Sequence, residues 1–274
     1  MARGKRYRAA WEQIDRTRAY DPAEAVELLK STAGANFDET VELHIRLGVN
    51  VRHAEEQLRG TLPLPKGLGK NVSVAVFADG QQAREAEAAG ADFVGGDDLA
   101  SRVEDGWTDF DVAIATPSMM PTVGKLGRVL GPQGKMPNPK VGTVTDEIEK
   151  AVGEAKAGKI EYRTDRHAIV HLAIGKTSFS ARDLLENYAA VIEEIIRAKP
   201  AASKGRYILN ATLTTTMGPG IRIDPAKTRA GEILAGLGAA AAGDGAGGDG
   251  EDAAEEGGPE QPAPAEQPEQ PASA

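Results

Sequence analysis

The chain has 274 residues, 41% of them apolar and only 4% aromatic, with no cysteine and a formal charge of −9. That length and apolar share allow one large or two ordinary domains with real cores, and the missing cysteine excludes disulfides, thiolate metal sites and cysteine nucleophiles. No apolar run approaches a bilayer span, and the basic start has no apolar stretch behind it, so a soluble cytoplasmic protein without a secretory signal is expected.

From the N-terminus, residues 5–17 read as a helix with Tyr7, Trp11 and Ile14 on one stripe and a cluster of arginines around it. Asp21, Pro22 and Glu24 open a second helix, with Asp as N-cap, Pro in the first turn and Glu three positions on. Val41, Leu43, Ile45 and Leu47 alternate with Glu42, His44 and Arg46, which is the period of a half-buried strand. Between about 68 and 158 the rhythm changes to strand and helix in turn. The nearly continuous apolar run Val72–Ala78 reads as a strand covered on both faces, with a short strand at Asp92–Gly95 and another at Phe110–Thr116. Helices fall at Gln81–Ala89, near Leu99 and at Thr145–Ala157. Lys159–Thr164 and Ile169–Ile174 read as a hairpin about Asp165-Arg166-His167. Ser180 with Asp183 starts a helix running to Arg197. A strand then carries Leu209 into Thr214-Thr215-Thr216, breaks at Met217-Gly218-Pro219-Gly220 and resumes as Ile221-Arg222-Ile223.

The negative charge is confined to one end. Residues 229–274 carry ten acids and one base, which leaves 31 of each in residues 1–228. With Ala, Gly, Pro, Gln and Glu making up most of it, this tail is expected to be disordered. The body is neutral overall but carries basic clusters: Lys5, Arg6 and Arg8 at one end, and Lys199, Lys204, Arg206 and Arg222 at the other. Such local fields suit nucleic acid whatever the net charge. The expected fold is a split α+β domain made from both chain ends (residues 1–67 and 159–228). A parallel, Rossmann-like α/β domain (residues 68–158) is inserted through two short connections that act as a hinge pair, and the acidic tail (residues 229–274) follows.

Enzyme signatures fail on spacing. Gly134-Lys135 has Val129 where a phosphate loop needs its first glycine and Met136 where it needs a hydroxyl. Gly67 and Gly69 precede the first parallel strand instead of following it, so the dinucleotide fingerprint is missing. The four histidines show no metal-binding spacing. No catalytic residue, metal or cofactor is expected. The acid-free stretch Lys125–Lys140 reads as a basic loop, either a solvated surface or a contact for RNA phosphate. Two readings are also open for the Thr214–Gly220 run: an ordinary Thr-rich strand and turn, or hydroxyls and glycine-exposed amides facing an RNA backbone with Met217 packed on a ribose or base. Phe37 is either a buried staple at a strand entry or an exposed aromatic that stacks on a nucleotide.

Several segments resemble, in collinear order over residues 3–225, the bacterial ribosomal L-one proteins, which belong to the large subunit's mobile stalk beside the tRNA exit site. They are Lys5-Arg6-Tyr7-Arg8, Phe37–His44, Gly90–Gly96, Asp105–Asp111, Gly127–Gly142 and Thr214–Gly220. The resemblance implies a two-domain, non-enzymatic protein, monomeric when free and ribosome-bound in the cytoplasm. Its implied partners are large-subunit rRNA, exit-site tRNA and its own operon mRNA, whose translation it represses. Carried across by motif, the RNA contacts fall on Phe37 and Thr40, on Thr216, Met217 and Gly218, and secondarily in the hairpin on Arg163 and Asp165; the reading of the strand and turn adds Thr214, Thr215 and Gly220. Two positions depart from the family pattern: Asn36 stands where a basic residue is common, and Arg166-His167-Ala168 replaces a glycine turn. A free RNA-binding regulator that never joins a ribosome is the alternative.

Overall fold

A computed structural model describes residues 4–227; the expected acidic tail, 229–274, lies outside the described residues. In chain order the elements are α1 (Lys5–Glu12), α2 (Pro22–Thr32), β1 (Thr40–Leu47), β2 (Arg59–Pro63), β3 (Val74–Phe77), α3 (Gly80–Ala88), β4 (Phe93–Gly95), α4 (Asp97–Glu104) and β5 (Val112–Ala115). There follow α5 (Met120–Lys125), α6 (Gly127–Leu130), α7 (Ile148–Lys156), β6 (Lys159–Arg163), β7 (Ile169–Lys176), α8 (Ala181–Arg197), β8 (Ile208–Thr215) and β9 (Ile221–Ile223).

The strands form three sheets. β7-β1-β8-β9 is antiparallel, β2-β6 is an antiparallel ribbon, and β4-β3-β5 is parallel. Alternation on β1 turns Val41, Leu43, Ile45 and Leu47 into a core under α2 and α8, while Glu42, His44 and Arg46 face outward. That core draws every member from residues 14–64 and 160–223, so both chain ends build it. A second pair of cores lies on the two faces of the parallel sheet. Ala75 and Phe77 of β3 point to α4, α5 and α6, whereas Val74 and Val76 point to α3 and α7. A central parallel strand covered on both faces must be apolar throughout, which is why β3 carries no polar residue.

Several expectations change in detail. The first helix stops at Glu12, because Asp15 turns the chain by accepting the Thr17 amide at 2.9 Å and its hydroxyl at 2.6 Å. Asp21 precedes α2 but caps no amide; its carboxylate pairs with Lys227 and Glu24 pairs with Arg18. The last helix does begin as expected, with Ser180 Oγ accepting the Asp183 amide at 3.1 Å. The expected hairpin is a corner between sheets: β6 pairs with β2 and β7 with β1, and the two meet at the bridge Thr164–Val170 and the Asp165 amide, which donates to the Ile169 carbonyl at 2.9 Å. The basic loop 125–140 is partly helical, since α5 ends within it and α6 lies inside it.

Candidate nucleic-acid interface

Adjacent strands bring the two ends of the chain together. β1 and β8 run antiparallel with Val41 opposite Thr215 and Glu42 opposite Thr214. Beyond the last pair, the Thr216 amide donates to the Thr40 carbonyl at 3.1 Å, and the Thr216 hydroxyl accepts the Thr40 amide at 3.0 Å. Lys176 Nζ donates to the Thr40 hydroxyl at 2.8 Å from the other neighbouring strand. Phe37 and Met217 thereby share the wall of one groove of about 600 Å³, whose lining also includes Gly218 and, from α1, Arg6 and Tyr7. Both side chains are exposed, Phe37 at 56% and Met217 at 63%. Phe37 is therefore no staple: it reaches solvent, as a stacking aromatic must.

Two carboxylates hold this surface in shape. Asp38 accepts the Ser178 hydroxyl at 2.7 Å, the Ser178 amide at 3.0 Å and the Thr177 hydroxyl at 2.9 Å. The Ser178 hydroxyl is the main reason its carboxyl sits below the usual range, against some desolvation. Glu39 is only 1% exposed. One of its oxygens accepts the Met217 amide and the other the Ala35 amide, each at 2.9 Å. Burial pushes the Glu39 carboxyl up, but the Met217 and Ala35 donors outweigh burial and hold it below the ordinary value. The Thr215 hydroxyl faces the same carboxylate without reaching hydrogen-bond geometry. Glu39 was not legible as a site residue. Its only signal is an acid placed just before a strand whose next inward residue is apolar.

The turn after β8 depends on its glycines. A Cβ on Gly218 would overlap the Thr215 hydroxyl, and one on Gly220 would lie 2.9 Å from Thr212 Cγ2. Thr214 supports the same turn, its hydroxyl lying 3.3 Å from the Gly218 carbonyl.

Arg163 and Asp165 lie elsewhere. They flank the corner that enters β7 beside Ile169, which pairs with Arg46 at the far end of β1. Six residues of strand separate that end from Thr40, roughly 20 Å at the usual rise. Asp165 is committed to the turn, accepting the His167 amide at 2.8 Å and the Ile169 amide at 2.7 Å. Desolvation opposes those amides, yet they prevail and hold its carboxyl low. The glycine missing from this turn is replaced by Ala168 at φ 59°, a left-handed conformation costing about 1 kcal/mol for a residue with a Cβ. Between the two ends, the open face of the sheet carries Glu42, His44 and Arg46 on β1, His171 on β7, and Thr212, Thr214 and Asn210 on β8. His44 and His171 face each other with their Nδ1 atoms 2.8 Å apart.

Among the described residues no group of three His, Cys, Asp or Glu side chains is placed to hold a metal ion, and no helix is long and apolar enough to cross a membrane. The molecule is thus a mixed α/β protein whose clustered surface offers hydroxyls, an aromatic ring and a thioether, with cations along its rim. Residues 29–219 match the family described as "Ribosomal protein L1p/L10e family", and the chain belongs to that family. It is similar to the large ribosomal subunit protein uL1 of Thermobifida fusca (strain YX), at 58% identity over 229 residues covering 84% of this chain and 97% of that relative.

Proposed function

We propose that this protein is a structural, non-catalytic constituent of the large ribosomal subunit that grips rRNA of the mobile stalk. The grip is the surface formed by Phe37, Thr40, Thr214, Thr216, Met217, Gly218 and Gly220; Thr215, expected as a contact, is buried beneath it and takes no direct part. The grip's exposed ring and thioether pack on splayed bases or riboses, and its exposed hydroxyls meet 2′-hydroxyls and phosphates. Arg6, Lys176 and the arginines at the far end of β1 supply salt-dependent attraction. The observation that carries this reading is the pairing of Thr40 with Thr216, which sets segments 176 residues apart side by side under one buried carboxylate.

Residues 1–67 and 159–228 act as the RNA-holding domain and residues 68–158 as an inserted domain that moves on the paired connections. That motion takes part in release of deacylated tRNA from the exit site. The same grip accepts a matching element in the protein's own operon mRNA and represses its translation. The protein is a monomer when free. Support comes from the family membership, from the core shared by both chain ends and from the strands β2 and β6 that lead into and out of the insertion.

Binding of the full-length protein to fragments of large-subunit rRNA at 0.1 and 0.3 M salt tests this. Affinity that drops steeply with salt, and that Thr216→Val or Met217→Ala weakens without unfolding the protein, is the expected result. Equal affinity for both variants and the parent refutes the grip, and absence of the protein from sedimented large subunits refutes the ribosomal role.

A further inference from the structure

A second concave site lies on the ribbon between the two parts of the molecule. A cleft of about 450 Å³ is lined by Arg59 of β2, Arg163 of β6 and Lys140, with no acid in its wall. Lys140 sits in the short turn Pro139–Val141, whose backbone is fixed where the Asn138 side chain accepts the Lys140 amide at 2.8 Å. The three cations therefore come from the paired connecting strands and from the inserted segment that packs against them.

The charge arrangement is costly to the fold. Arg59 and Arg163 stand directly opposite each other in the β2–β6 ladder, where like charges repel. Glu161 answers only one of them, accepting from Arg59 Nε at 2.9 Å and Nη2 at 2.8 Å. Arg163 and Lys140 have no ion-pair partner among the described residues. The wall of the neighbouring hollow adds Arg52 and Arg166 together with one carboxylate, Asp165, whose other oxygen lies 3.7 Å from His171 Nε2. A solvated basic face would splay its charges apart; here a concavity gathers them across a strand pair, which focuses the field on one point.

We propose that Arg59, Arg163 and Lys140 form a phosphate-binding cleft that takes an RNA backbone phosphate and thereby ties the inserted segment to the connecting ribbon. This rests on the rRNA reading above and extends it to a second site far from Phe37 and Met217. The ligand is identified by charge and shape. Two unpaired cations beside a guanidinium that Glu161 pairs suit a phosphodiester, and the apolar edges of Ala54 and Pro139 leave room for its sugar. The site gives RNA a means of fixing the angle of the insertion, because its cations span the junction.

The test uses the full chain, which has no native cysteine, so Glu87→Cys on α3 and Glu193→Cys on α8, both exposed, carry a fluorophore pair reporting the separation of the two parts. The parent is expected to bind a stalk rRNA fragment with a change in energy transfer. Lys140→Gln and Arg163→Gln each weaken binding about fivefold at 0.1 M salt and lower the salt slope by about one. Together they abolish the transfer change at saturation, whereas Met217→Ala weakens binding and keeps it. Arg163→Gln is expected to melt no lower than the parent, since it removes a like-charge pair. Unchanged affinity, slope and transfer in the double variant, with Met217→Ala still weakened, overturns the cleft alone. A parent that binds no rRNA overturns the rRNA reading and this one with it. Inorganic phosphate alone producing the same transfer change reassigns the cleft to free anions and overturns the RNA source.

Discussion

Glu39→Gln probes the part of the account that is most sensitive to a single atom. The parent carboxylate accepts two amides, Met217 and Ala35, at 2.9 Å each while almost wholly buried. The amide side chain keeps one acceptor and turns an N–H toward the other donor, so at least one of these bonds is lost. A hydrogen bond to a buried charged group contributes about 1.5–3 kcal/mol, so the local opening free energy at one of the two amides should fall by about 2 kcal/mol. That converts to roughly 30-fold faster hydrogen exchange there, at a factor of ten per 1.4 kcal/mol. If the Met217 turn belongs to the proposed grip, rRNA affinity should fall at least about fivefold, while exchange within the parallel sheet stays as in the parent. The sign with pH follows from the depressed carboxyl. Its contribution is fully present above the ordinary carboxylate range near 4.3 and is lost as pH falls through the lower folded value, so the variant should differ less from the parent in acid than at neutral pH. Exchange at both amides within twofold of the parent, together with unaltered affinity, refutes the role given to Glu39.

Further outcomes follow from the same geometry. Gly218→Ala should weaken rRNA binding about tenfold, measured by filter retention, because its Cβ overlaps the Thr215 hydroxyl; adding Thr215→Ala should restore part of the loss. Thr216→Val removes the acceptor of the Thr40 amide and should cost about 1 kcal/mol in binding, read by calorimetry. His44 is held below the ordinary histidine value, chiefly by burial and then by the His171 charge, against Glu42. A depressed histidine favours the fold above its unfolded value near 6.5, so stability should decline as pH falls below that. Urea titrations of His44→Gln should show a flatter profile from pH 6.5 to 5.

Much of the architecture was legible because burial writes a period into the chain. β1 alternates so strictly that its inward and outward faces could be named, and β3 is apolar throughout because helices cover both its faces. Strand partners were not legible. β6 and β7 are neighbours in sequence, and nothing local says that β6 pairs instead with β2, about a hundred residues earlier. β2 itself escaped notice because Gly60 and Pro63 break its pattern; the glycine leaves space for the ring of Tyr162, which a Cβ would crowd. For the grip, Phe37 and the Thr214–Gly220 run stood out by residue type, but their exposure and contact depend on a long-range ladder. Glu39 and Arg59 come from the fold alone. The cap expected at Asp21 failed for a similar reason: Lys227, distant in sequence, takes its carboxylate.

The central claim is that two distant segments form one RNA grip, and a hydrogen-exchange footprint of the full-length protein with and without a stalk rRNA fragment tests it most directly. Protection gained together over residues 36–41 and 214–220, with the parallel strands β3, β4 and β5 unaffected, is the expected result. Protection confined to residues 68–158, with both grip segments exchanging as in the free protein, would contradict it.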